Sequence, residues 1–379
     1  MNLDTDPSLV ALRHRLHAAP ELSGAEAGTA RLLREMLQAT DPDQIIEGLG
    51  GHGLALVYDS GMSGPGVMFR AELDALPIAE RGHVPHASTL PGIAHLCGHD
   101  GHMAILAGLA RHLGRDRPAR GRVILLFQPA EETGAGARAV LADPRFDSLR
   151  PDWAFALHNM PGLGLGQIAV AAGPASCASV GLHLRWQGRE AHASSPETGL
   201  SPAHAVASLM AALAPFSTPG PVTDGFRLAT LCHLSMGARA FGIAPASAEA
   251  MVTLRAISDA GLERFERDIA TLAEHQAGAL ALQISRHDHF NASINDPHAS
   301  RIVARAADAL GLVKGCFALP MRASEDFGAF SAVTRTALFF IGAGEGHPAL
   351  HDPEYDFPDA LIAPAQALFT RILSEVMAH

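Results

Sequence analysis

Between His95 and His102 the chain reads His-Leu-Cys-Gly-His-Asp-Gly-His and then runs into the apolar segment Met103–Leu113. A thiol, three imidazoles and a carboxylate stand there at the start of a helical pattern, with Leu106, Leu109 and Leu113 on one face. Cys97 and His99 are two residues apart, so in an extended loop both can face one metal ion or a pair of ions. Gly98 and Gly101 leave that loop's backbone free to wrap closely. Other candidates are dispersed: Asp74 in Glu-Leu-Asp-Ala-Leu-Pro, Glu131 and Glu132 in Gln-Pro-Ala-Glu-Glu-Thr-Gly, and His158 in Leu-His-Asn-Met-Pro. Thiolate, imidazole and carboxylate together suit zinc, manganese or cobalt rather than magnesium or calcium. Adjacent glutamates on an extended segment point different ways. One can therefore bind metal while the other acts as general base on a metal-bound water, whose pKa falls from ~15.7 toward ~7.

Such a set needs elements that bring it together. Apolar runs at 67–69, 123–127, 153–157 and 337–341 alternate with helical patterns, as strands of an α/β sheet buried on both faces do. Helical patterns fill 7–40, with a break at Pro20–Gly24. Asp74 follows the first run, Glu131 and Glu132 the second, and His158 the third. In open α/β sheets sites form beyond the carboxyl ends of the strands, so three strand ends aim acids and a histidine at one crevice. The middle of the chain differs. Strands at 179–187, 227–236, 248–257 and 282–287, with helices at 202–213 and 262–281, give the order β-α-β-β-α-β of a split βαβ domain. The expected architecture is α/β. A mixed, mostly parallel sheet flanked by helices occupies 1–177 and 291–379, with an α+β ferredoxin-like domain inserted over 178–290.

Composition narrows the class. A chain of 379 residues suits two domains, and 48% hydrophobic content supplies their cores. The formal charge is −11, and Lys314 is the one lysine, so the basic footprint of a nucleic-acid or anionic-membrane surface is missing. No apolar run approaches a membrane span, and Met1–Ser8 carries no basic n-region or apolar h-region. Four dispersed cysteines form no disulfide pattern, and Cys177, Cys232 and Cys316 are expected to be small buried hydrophobes. A cytoplasmic protein, bound neither to nucleic acid nor to membrane, is expected.

The motifs, taken in order, resemble the amidohydrolase branch of the aminoacylase–carboxypeptidase family of two-metal hydrolases, which includes hippurate hydrolases and auxin-conjugate hydrolases. The resemblance runs through "LRHRLHAAPELSGAE" (12–26), "RAELDALPI" (70–78), "PGIAHLCGHDGHMAIL" (91–106), "FQPAEETGAGA" (127–137), "ALHNMPG" (156–162), "GREAHASSP" (188–196), "SEDF" (324–327) and "LHDPEYDFPD" (350–359). It implies two divalent ions per chain (manganese, zinc or cobalt), held by Cys97, His99, Glu132, His158 and His351. It also implies Glu131 as general base and Asp74 as a carboxylate orienting a ligand histidine. It implies that the inserted domain caps the site and mediates dimerisation, and that His192 stabilises the developing oxyanion, within its own chain or across the dimer. The implied reaction is hydrolysis of the amide bond of an N-acyl amino acid or related small amide, by a homodimer or higher homo-oligomer.

The chain also departs from the pattern. Gly242, in "SMGARAFGIAPASA" (235–248), stands where a substrate-positioning asparagine is expected, and Ser201 and Glu72 stand where aspartate is common. The metal set is complete while the recognition surface is altered, which points to an unusual N-acyl or amide substrate. Alternative readings are a dipeptidase or carboxypeptidase, a hydrolase using Cys97 as nucleophile with His99, and a metal-binding protein without activity.

Overall fold

The computed structural model describes residues 5–378; Met1–Asp4, part of the stretch read for a secretion signal, lie outside it. Two compact units divide the chain. The first runs to Ala175 and resumes over Ser293–Leu319 and from Asp326 onward, and the second comprises Ser176–Ala292 with Pro320–Glu325.

The first unit begins with helices α1 (Pro7–Ala18) and α2 (Ala27–Leu37). Asp6 caps α1 by accepting the Ser8 N–H at 2.8 Å, with Pro7 at the first helical position. Then follow β1 (Gln44–Leu49), β2 (Gly53–Asp59), β3 (Gly66–Glu72), α3 (His99–Arg115), β4 (Arg122–Gln128), α4 (Gly136–Ala142), β5 (Trp153–Pro161) and β6 (Ile168–Ala169). The second unit contains β7 (Ala178–Gln187), α5 (Ala203–Leu213), β8 (Arg227–Met236), β9 (Ser247–Ala256), α6 (Asp259–Ala277) and β10 (Ala281–Phe290). The chain returns to the first unit with α7 (Pro297–Ala309), β11 (Arg335–Gly344) and α8 (Ile362–Met377).

The first unit's sheet has the order β1-β2-β4-β3-β5-β11-β6. Its central pairs, β4 with β3, β3 with β5 and β5 with β11, are parallel, while the β1–β2, β2–β4 and β11–β6 pairs are antiparallel. The mixed sheet expected from the apolar runs is therefore present, parallel through its centre. All of β3 is buried, and α3 is buried from His99 through Ala110, so the first three turns of this helix lie inside the core with its N-terminus at the site, while its last turn reaches the surface. Asn295-Asp-Pro297 starts α7: Asp296 accepts the N–H groups of His298 and Ala299 at 2.8 and 2.9 Å.

In the second unit the sheet order is β8-β9-β7-β10 with every pairing antiparallel. Its core packs Leu182, Leu184 and Trp186 of β7 with Leu209 of α5 and Phe265 of α6. Pro320–Glu325 joins this unit through Cys177, whose N–H donates to the carbonyls of Met321 and Ala323 at 3.2 Å. Two expectations need correction. Cys177 is buried, but Cys232 and Cys316 are exposed, because Cys232 lies on the open stretch of edge strand β8 and Cys316 in the loop after α7. The stretch Asp359–Met377 is, among the described residues, long and apolar enough to cross a membrane. Its Leu368, Phe369 and Ile372 are instead buried in the first unit's core.

Candidate metal centre

Every proposed metal donor belongs to the first unit. Gly98, with φ of 88°, precedes α3 in the left-handed region, and a Cβ there would overlap the Asn159 side chain. That turn brings Cys97 and His99 to the same side, as their spacing suggests. Glu131 and Glu132 follow β4 on a loop that turns at Ala130, whose φ is 50°. The buried Glu26 carboxylate holds this turn by accepting the Ala130 and Gly24 N–H groups at 2.8 and 2.9 Å. His158 is near the end of β5. His351 comes from a loop far along the chain and has φ of 67°, uncommon for a residue with a Cβ. Its N–H donates to the Leu96 carbonyl at 2.8 Å, tying its loop to the one that carries Cys97.

The donor atoms converge. His99 Nε2 lies 3.9 Å from both Glu131 Oε2 and Glu132 Oε1, and His351 Nε2 lies 3.6 Å from Glu132 Oε2. Cys97 Sγ is 3.6 Å from His158 Nε2. The groups Cys97–His99–His158 and Cys97–Glu132–His351 each have all donors within 4.8 Å of one another. They share Cys97, and Glu132 turns one oxygen toward His99 and the other toward His351. Two such groups can hold one ion each.

The N···O separations are too long for hydrogen bonds but close to the ~3.4 Å between two ligands at ~2.1 Å from a tetrahedral ion. His99 Nε2 is buried without a hydrogen-bond partner, an arrangement that costs free energy unless something electropositive fills the gap. The donor set therefore fits divalent ions.

Outer contacts fix the imidazoles. His99 Nδ1 donates to the Asp74 backbone carbonyl at 2.8 Å, with an Asp74 carboxylate oxygen 3.6 Å away, so Nε2 faces the acids. The other Asp74 oxygen accepts Ser23 Oγ–H at 2.6 Å and the Glu132 N–H at 2.9 Å. Asp74 thus holds His99 through its backbone carbonyl, and its carboxylate pins the backbone of the glutamate pair. Burial works to lower the His99 pKa, but Asp74, Glu72 and Glu132 outweigh it and push it up to about 10, so these acids favour positive charge at Nε2, and an ion bound there would displace the proton they hold. Burial pushes His158 down to about 3, with His102 adding to the effect, so it is neutral and ready to donate a lone pair.

Sequence reasoning assigned no role to several buried polar residues. Of the three histidines in the opening stretch only His99 enters a group with Cys97; His95 is buried with both ring nitrogens lacking hydrogen-bond partners, and His102 bonds Glu72 instead. Asp326, in the "SEDF" motif, accepts Arg70 at 2.6 Å and the Ala137 N–H at 2.8 Å, binding β3 to α4. Arg13 and His17, in the first quoted motif, reach Asp100 beside His99. The motif was the only signal for these, because their partners are distant in sequence.

His192 belongs to the second unit. It is exposed on a two-residue strand paired with Ile243–Ala244, and its Nδ1 shares a 2.7 Å hydrogen bond with Ser194 Oγ. The Gly242 carbonyl accepts the Ala193 N–H at 3.0 Å, which places the Gly242 departure beside His192.

The profile of peptidase family M20/M25/M40 matches residues 68–375. A hippurate hydrolase from Campylobacter jejuni is 29% identical over 374 residues, covering 98% of this chain and 97% of its own. An N-acetyl-L-cysteine deacetylase from Bacillus subtilis is 36% identical over 215 residues, covering 56% and 51%. Among solved structures, a dinuclear metal-binding M20 peptidase from Bacillus subtilis superposes with a TM-score of 0.82 at 25% identity, covering 98% of each chain.

Proposed function

This chain belongs to peptidase family M20/M25/M40, and from that premise we propose that it hydrolyses the amide bond of an N-acyl amino acid or a related small amide. The observation that carries this reading is the convergence of Cys97, His99, Glu132, His158 and His351 in two donor groups that share Cys97, with His99 Nε2 buried without a hydrogen-bond partner and Glu131 3.9 Å from it. Full-length similarity to a hippurate hydrolase and partial similarity to an N-acetyl-L-cysteine deacetylase support the substrate class.

Each residue then has a role. Cys97, His99, Glu132, His158 and His351 hold two divalent ions. When bound, these acidify water toward neutral pH and polarise an amide carbonyl. Glu131 takes the proton from the attacking water and returns it to the departing nitrogen, a transfer that needs a carboxylate positioned beside the centre. Asp74 keeps His99 in the tautomer whose Nε2 faces inward. His192 donates to the developing oxyanion when the second unit, acting as a cap, delivers it. We assign the catalytic domain to 1–177 and 291–379, the cap to 178–290, and the working form to a homodimer or higher homo-oligomer.

The test is a purified chain assayed against a panel of N-acyl amino acids and dipeptides, with metal content measured alongside. Chelation should abolish hydrolysis, and adding manganese, zinc or cobalt should restore it. Hydrolysis that survives complete metal removal would point instead to a Cys97 nucleophile. Preference for dipeptides over every N-acyl substrate would overturn the substrate assignment.

A further inference from the structure

Behind His158 runs a series of buried groups to which the proposed chemistry gives no part. Glu72 ends β3, and Arg70, two residues earlier and so on the same face of the strand, pairs with its carboxylate. Arg70 is itself held by Gln128 at 2.9 Å and Asp326 at 2.6 Å. Burial would raise the Glu72 carboxyl, but Arg70 and His102 outweigh it and keep it well below the usual carboxylate range. The second Glu72 oxygen accepts His102 Nδ1–H at 2.7 Å. His102 stands on α3 three residues after His99, on the same face of the helix.

The donor atoms of Glu72, His99 and His102 lie within 4.8 Å of one another, a spacing that could pass for a further metal group. The hydrogen bonds say otherwise. With Nδ1–H given to Glu72, His102 Nε2 is an acceptor, and it receives the Asn159 N–H at 3.2 Å. Both ring nitrogens are engaged, so His102 has no lone pair left for an ion. The Asn159 carbonyl in turn accepts His158 Nδ1–H at 2.7 Å, which leaves His158 Nε2 facing Cys97 Sγ at 3.6 Å. The Asn159 side chain adds a second hold, donating to Tyr355 Oη at 2.5 Å and packing where a Cβ on Gly98 would sit.

We propose that Glu72 and His102, acting through Asn159, form a positioning relay that fixes His158 in one tautomer and one orientation, with Nε2 presented to the metal. The relay runs from the Glu72 carboxylate to His102 Nδ1–H, from His102 Nε2 to the Asn159 N–H, and from the Asn159 carbonyl to His158 Nδ1–H. Its anionic end strengthens His158 as a donor, as a carboxylate behind a metal-bound histidine does. The inference rests on His158 being a ligand.

Three substitutions take the relay apart. His102→Asn keeps a donor toward Glu72 but has no atom to accept the Asn159 N–H. His102→Gln places an acceptor near Asn159 but loses the donor at the Nδ1 position. Glu72→Gln keeps an acceptor oxygen and removes the charge. Each variant of the full chain is stripped of metal and titrated with Co²⁺ alone, recording affinity, visible spectrum and the Tm of the metal-free protein. Both His102 variants should weaken one Co²⁺ site by about 10–100-fold and alter its spectrum, and Glu72→Gln should weaken it by about tenfold. Glu72→Gln is nearly isosteric and carries the test if a His102 variant fails to fold.

A merely structural role would lower the metal-free Tm and leave affinity and spectrum unchanged, and that result overturns the relay. His158→Gln separates the two hypotheses. If it binds two Co²⁺ ions as the unsubstituted chain does, His158 is no ligand and the relay falls with that assignment. If it loses an ion while all three relay variants retain the original affinity and spectrum, the relay alone is wrong.

Discussion

His17 offers a quantitative test of how the first unit is held together beneath its metal-binding loops. It is wholly buried on α1, with Nδ1 2.9 Å from Asp100 and Nε2 3.2 Å from Glu80. Burial works to lower its pKa, but the bond to Asp100 and the field of both acids prevail and push it from 6.5 up to about 9. The folded state therefore binds this proton more tightly than the unfolded state. The stabilisation is complete below pH ~6.5 and is lost as pH rises through about 9. A difference of about 2.5 units corresponds to about 3 kcal/mol. Metal-free chain and its His17→Asn variant should be unfolded in urea at pH 5.5 and at pH 9.5. Groups that titrate alike in both proteins cancel in the comparison. The stability gap between them should shrink by about 3 kcal/mol at the higher pH. A gap that stays constant or widens with pH would refute a charged, doubly bonded His17.

His99→Ala and His351→Ala should each lose bound metal and activity together, measured by elemental analysis and turnover on one preparation. Glu131→Gln should keep its metal and lose at least ~100-fold in kcat, the lower end of what a general base supplies, while Glu132→Gln should lose metal; exchanged phenotypes would reverse the assignment of the pair. His192→Ala should retain metal and lose about 10²–10³-fold in kcat. If His192 serves a neighbouring subunit, verified mixed dimers of His192→Ala and Glu131→Gln chains should regain activity. At Gly242 an added Cβ would meet nothing within 4 Å and φ is not in the left-handed region, so Gly242→Asn should leave Tm nearly unchanged while shifting KM across an N-acyl substrate panel.

What the sequence made legible follows from how each signal is encoded. Val67–Phe69, Val123–Phe127, Trp153–Leu157 and Ala337–Ile341 lie in β3, β4, β5 and β11 because a strand covered on both faces must be apolar at every position, and such runs stand out without any partner. The six elements of the second unit were equally visible, since a half-exposed antiparallel strand alternates and an amphipathic helix repeats every 3–4 residues. The β1–β2 hairpin was not: Gln44-Ile-Ile-Glu-Gly-Leu mixes polar and apolar residues without a regular period, and β1 is an edge strand. Helix α8 carries only an apolar repeat, and Leu368, Phe369 and Ile372 find their core partners through the fold rather than through any nearby residue. Glu131, Glu132 and His158 were legible as residue types following strands, Cys97 and His99 as a spaced pair before a helix, and His351 through the resemblance alone; the geometry places their donor atoms in shared groups. The groups that hold them were hidden for a different reason. Arg13 reaches Asp356 at 2.5 Å across 343 positions, and His102 reaches Glu72 across 30. A buried hydrogen bond between residues so far apart leaves no periodic trace, so an arginine in a helix or a glutamate at a strand end reads as ordinary surface until the fold brings its partner to it. In this chain the chemistry is written locally, and the means of holding it in place is written in pairs that only the fold assembles.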